Sequence, residues 1–164
     1  MIIMKLKVAS IVSLMTLSAL LYASPINIAA QETPAAKTAR LLRESKMGFT
    51  KVDEAIWTLP FDGKKLKNYK VIVTADKTYL LMFVMIANQK EFRATPELLK
   101  TLLLYNDQFD KVKIGIDKDG FLCVRVDLSV RLVDRQEFID SLNQTAAAAD
   151  EVYGSITPYL ISAK

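Results

Sequence analysis

Any chemistry in this chain has to be built from carboxylates, amines and one thiol, because its 164 residues include no histidine. Ser–His and Cys–His nucleophile pairs and histidine-ligated metals are thereby excluded together. Cys123 lies mid-strand in an alternating apolar stretch with no evident base, the setting of a packing residue and not of a nucleophile. Asp117-Lys118-Asp119-Gly120 looks like the opening of a calcium loop. Leu122 to Val126, however, is a hydrophobic strand where such a loop would place its later ligands and closing glutamate. A hairpin turn is the better reading. The adjacent acids Asp53-Glu54 and Asp150-Glu151 diverge instead of converging on a bond, so the spacing suggests no glycosidase-type carboxylate pair. Gly115 and Gly120 flank a strand and a turn and match no nucleotide fingerprint. The expectation is a binding protein without catalytic residues, metal or cofactor.

Charge narrows the partners. The formal net charge of +4 falls to +2 once Lys5 and Lys7 are set aside. A near-neutral mixture gives no case for nucleic acid, which needs a basic patch. The cluster Lys64, Lys65 and Lys67 reads as a solvated Gly-Lys-Lys turn. Two surface features remain. One is a charged strand face, Lys113, Arg125, Asp127 and Arg131, which suits cross-strand ion pairs or a partner contact. The other is surplus apolar surface: Trp57, the second face of the Tyr79 to Ala87 strand, and the extra leucines of the middle helix. It suits either an intradomain core or a dimer or client interface.

The elements that position these groups follow from periodicity. Residues 1–30 read as a secretory signal peptide: a basic start with Lys5 and Lys7, then Val8 to Tyr22 without charge. Cleavage is expected after Ala30 or after Ala23, giving a periplasmic or secreted protein. Membrane contact is expected only if this segment stays uncleaved. One cysteine forms no internal disulfide, so the exported domain must be held by its core. Residues 31–37 read as a flexible lead-in and residues 38–164 as one α+β domain.

Within that domain the pattern predicts a helix over Ala39 to Met47 ended by Gly48. A three-stranded antiparallel meander follows over Ala55–Phe61, Tyr69–Ala75 and Tyr79–Ala87, the last apolar on both faces and expected to be central and covered on both. Thr95-Pro96-Glu97 starts a middle helix. A β-hairpin follows, Lys111–Asp117 and Phe121–Arg131, with Leu122, Val124, Val126, Leu128 and Val130 toward the core. A capping box of Asp134 and Glu137 opens a long C-terminal helix bearing an inward stripe of Phe138, Leu142, Thr145, Ala149, Val152 and Ile156.

On the middle helix, 100° per residue puts Leu99, Leu102 and Leu103 on one side, expected to be core. Leu98, Leu104 and Tyr105 are then expected at a subunit or partner contact, together with Trp57, Arg125 and Asp127.

Three segments carry a resemblance: Ile56-Trp57-Thr58-Leu59-Pro60, Leu102-Leu103-Leu104-Tyr105-Asn106, and Ile116-Asp117-Lys118-Asp119-Gly120-Phe121-Leu122. With the element order they resemble the YbjN-like proteins and the type III secretion chaperone-like fold of the Tir chaperones, over about Thr38 to Leu160. The resemblance implies a domain that often dimerises and binds polypeptides, and no catalytic residues. It differs in one respect: those chaperones are cytosolic and acidic, whereas this chain carries an export signal and is slightly basic. The leading functional expectation is therefore an exported chaperone-like module, a homodimer with a protein or peptide client. The alternative is a carrier of a small apolar ligand such as a lipid, motivated by Met82, Phe83, Met85 and Leu99.

Overall fold

The computed structural model describes residues 32–161. The expected signal segment lies outside them. The first helix, α1 (Pro34–Ser45), begins where Thr33 accepts a hydrogen bond from the Ala36 N–H and Pro34 takes the first helical position. The segment expected as a flexible lead-in is thus helical from Pro34 onward. Its Ala, Thr and Pro content signals a helix start as well as a loop, because Ala favours helix while Thr and Pro mark the N-terminus. The helix also ends earlier than expected. Lys46 caps it in the left-handed region at φ 60°, so Gly48 is not the cap.

Four strands follow instead of three: β1 (Thr50–Asp53), β2 (Ile56–Phe61), β3 (Tyr69–Ala75) and β4 (Tyr79–Ala87). Then come α2 (Pro96–Gln108), β5 (Lys113–Ile116), β6 (Leu122–Ser129), α3 (Arg135–Ile156) and a short 3-10 turn, Thr157–Tyr159. The strands form one antiparallel sheet in the order β1-β2-β3-β4-β6-β5. The hairpin and the meander are joined because β6 pairs with β4 over Tyr79↔Ser129 to Ala87↔Leu122. The β5–β6 turn is built as expected. Gly120 adopts φ 83°, and the Asp117 carboxylate accepts the N–H groups of Asp119 and Phe121. A left-handed residue after a tight turn suits glycine, and the carboxylate is consumed by the turn itself.

One face of this sheet is covered by α3, flanked by α1 and α2. The core sits there: Trp57 and Leu59 from β2, Val71 and Val73 from β3, Leu80, Met82 and Val84 from β4, and Val124 and Val126 from β6. The expected α3 stripe is buried in full. Ala146, Ala148 and Ala149 keep the helix thin where it crosses β4 and β6. Asp134 caps α3 through the Glu137 N–H, but the Glu137 carboxylate pairs with Lys111 instead of reaching back, so only half of the expected capping box forms.

The outer edge of β5 is closed by a side chain. Asn106 of α2 accepts the Ile114 N–H at 2.8 Å and donates to the Ile114 carbonyl at 2.7 Å. Its amide thus stands in for a neighbouring strand, and a blocked edge resists pairing with another chain. Replacing Asn106 by alanine is expected to cost about 1 kcal/mol, since the freed groups regain water only in part. It is also expected to promote concentration-dependent aggregation, read by light scattering alongside urea unfolding.

Candidate functional site

The second face of the sheet has no covering layer among the described residues. Side chains alternate along each strand, so the registers define which of them share this face. One row runs across all six strands: Thr50, Thr58, Ile72, Phe83, Arg125 and Lys113. The next contains Ile56, Thr74, Leu81 and Asp127. Met85 sits opposite Cys123, and Cys123 opposite Gly115. On the inner face Trp57, Leu59, Val71, Val73, Leu80, Met82, Val84, Val124 and Val126 are buried, whereas on the second face Ile56, Ile72, Leu81 and Phe83 are half-buried and Tyr79 and Met85 exposed, Met85 by 50%. The expectation that β4 is covered on both faces is therefore corrected. β4 is central in the sheet, but the helices all serve one side, and its second apolar face is left to solvent.

This face grades from hydroxyl through apolar to charged. At the charged end Lys113 and Arg125 lie directly opposite each other. The Asp127 carboxylate lies between them, hydrogen-bonded to Lys113 and 3.8 Å from Arg125. The cross-strand ion pairs expected from sequence are present, although Arg131 falls beyond the end of β6 in an exposed turn. Two shallow depressions flank the Lys113–Asp127 pair. One, about 510 Å³, lies over Gly115 and Cys123; the other, about 490 Å³, lies over Thr74, Tyr79 and Leu81. Burial pushes the Cys123 thiol above its ordinary pKa, and the negative charge of Asp117 adds to this. A thiol held protonated is a poor nucleophile.

The other expected contact residues divide. Trp57 is fully buried, paired with Val73 on the helix-covered face, so it is core and not an interface residue. Leu98 is likewise buried and Leu102 nearly so, while Leu103 is 70% and Leu104 62% exposed and Leu99 is exposed as well. The expected inward set of Leu99, Leu102 and Leu103 is thus replaced by Leu98, Leu102 and half-buried Tyr105. Polar ties fix this rotation of α2. Tyr105 shares a hydrogen bond with Ser155 of α3, and Asn106 is held by Ile114. Leu104 stays at the surface as expected. Of the residues proposed for an apolar carrier, Met82 is sealed on the inner face, Phe83 and Met85 belong to the open face, and Leu99 is on α2. They form no common wall.

No family model and no curated protein matches the sequence. Solved structures do. The crystal structure of YbjN from E. coli covers 76% of this chain and 93% of its own, with a TM-score of 0.55 at 21% identity. The fold is that of YbjN. A chain of the heterodimeric ExoU–SpcU complex, from the type III secretion system of Pseudomonas aeruginosa, covers 74% of this chain and 95% of its own. With a TM-score of 0.48 and 17% identity, that second likeness adds nothing to the fold assignment. The α+β arrangement expected from the resemblance to YbjN-like proteins is the one observed.

Proposed function

We propose that this protein is an exported, non-enzymatic polypeptide-binding module that holds segments of client proteins on the open face of its sheet and acts as a homodimer. The observation that carries the reading is the uncovered cluster of Ile72, Leu81, Phe83 and Met85 on β3 and β4, in the middle of a six-stranded sheet. A contiguous apolar patch rimmed by polar groups marks an interaction surface, because leaving it in water forgoes the free energy of burial. The open sheet face, with only shallow depressions, suits an extended chain laid across it better than a small enclosed ligand. The dimer contact is assigned to Leu99, Leu103 and Leu104 on the solvent side of α2, a different surface that leaves the sheet accessible. Export rests on the basic and apolar pattern of residues 1–30.

Two variants test the two surfaces separately. Met85→Glu is expected to keep its fold by circular dichroism and to lose most of its ability to suppress aggregation of a denatured client. Leu104→Glu is expected to stay folded and sediment as a monomer. Client protection unchanged in Met85→Glu removes the sheet face from the reading. A wild-type protein that is monomeric at high micromolar concentration removes the dimer.

A further inference from the structure

Gly115 is a glycine that the chain itself does not require. It lies inside β5, whose pairing with β6 is regular from Lys113↔Arg125 to Ile116↔Leu122. Its backbone is not in the left-handed region, which among glycines only Gly120 occupies. A Cβ added there would meet nothing within 4 Å. Glycine weakens a strand interior relative to alanine, and it marks a bulge, a bend, or a place where something approaches closely. The regular register rules out a bulge, and the open space rules out crowding from within. The bare backbone leaves room for an approach from outside, onto the open face that Gly115 shares with Lys113, Cys123 and Arg125.

The charges around it identify what approaches. Like charges directly across two strands repel, yet Lys113 and Arg125 are placed so. One carboxylate, Asp127, serves both, and it is hydrogen-bonded to Lys113. The other carboxylate beside the depression, Asp117, is committed to the turn N–H groups, and Asp119 pairs with Lys118. Among the described residues no hydrogen bond engages the Arg125 guanidinium, whose planar fork matches a carboxylate through two parallel bonds. The depression therefore has a glycine floor, a rim of three bases (Lys113, Lys118 and Arg125) and two acids already engaged (Asp117 and Asp119), and the exposed Met85 one strand beyond Cys123.

We propose, resting on the reading that the open face binds polypeptide, that this depression takes an acidic side chain of the bound segment. Its carboxylate meets Arg125 and Lys113, and apolar residues two positions away, on the same face of the segment, lie on Met85 and Phe83. The preferred client is then an extended segment in which an acidic residue has large apolar residues two positions before and after it, on the same face.

The test uses two short labelled peptides, one with leucine, glutamate and leucine at every second position and serine between them, the other with glutamine in place of the glutamate, titrated into the protein by fluorescence anisotropy. The glutamate peptide is expected to bind at least about tenfold tighter, the worth of a charge-assisted pair at a partly desolvated site. Gly115→Val fills the depression. It is expected to keep or raise the melting temperature, valine being a strong strand former, and to weaken the glutamate peptide by about tenfold. Arg125→Gln is expected to abolish the preference between the peptides whatever Gly115→Val does to folding. Equal binding of both peptides to the wild type, or an unchanged preference in Arg125→Gln, overturns the pocket. If either occurs while Met85→Glu still loses client protection, the pocket fails and the binding face stands. If Met85→Glu also protects as wild type does, the face itself is lost.

Discussion

Trp57→Ala is expected to destabilise the protein by about 3–5 kcal/mol and Leu98→Ala by about 2–5 kcal/mol, at any protein concentration. Both side chains are fully buried beneath the helices, so truncation removes apolar burial and leaves a cavity that the sheet closes only in part. Leu103→Ala is the internal control. Its side chain is 70% exposed and is expected to change unfolding free energy by less than about 0.5 kcal/mol. Urea unfolding of the three variants reads the contrast. A large loss at Leu103 with little at Leu98 would mean that α2 is rotated by about one residue from the orientation described.

Asp150→Ala is expected to cost about 2–3 kcal/mol at neutral pH, through a different mechanism. The Asp150 carboxylate of α3 accepts the backbone N–H groups of Lys64, Lys65 and Leu66 at 3.1, 2.7 and 2.7 Å, clasping the β2–β3 loop onto the helix. The approach is close enough to require glycine beside it: a Cβ on Gly63 would stand 2.1 Å from the carboxylate oxygen. The Lys-Lys turn is therefore a bound loop, and the acid that binds it lies more than 80 residues away in sequence. Burial by itself would raise the Asp150 pKa, but the three N–H donors and the Lys65 charge outweigh it and hold the carboxyl below its ordinary value. A carboxyl depressed in the folded state contributes stability that is complete above its unfolded value and lost as pH falls through the folded one. The difference between wild type and Asp150→Ala should thus be constant near neutrality and close below about pH 4. Unfolding curves at neutral and acid pH check this. A gap that persists at low pH would assign the loss to packing instead of the carboxylate.

Local signals in the sequence determined a good deal. Period-two alternation located β2, β3 and β6, because a half-buried strand must alternate whatever lies beyond it, and β4 showed as a continuous apolar run between turn signals. Thr95-Pro96 and Asp134 located the starts of α2 and α3, since a cap is a contact between residues three apart. The α3 stripe of Phe138, Leu142, Thr145, Ala149, Val152 and Ile156 was legible for the same reason. The charged strand face with Lys113, Arg125 and Asp127 followed from counting alternate residues. The short strand β1 escaped, because all four of its residues are exposed at the sheet edge and leave no apolar alternation to detect.

Tertiary structure decided which apolar surfaces are covered. Composition supplies apolar groups on both faces of β4, on Trp57 and around α2, but it does not say where the helices go. Pairing of β6 with β4 carries the hairpin to the far side of the sheet and brings α3 over the inner face. That placement buries Trp57 and leaves Phe83 and Met85 outside. The rotation of α2 turns on two distant hydrogen-bond partners, Ser155 and Ile114, which no local periodicity contains. Burial is a property of what stands opposite a side chain, so a spacing that fixes the angle between two leucines still leaves open which of them meets the core.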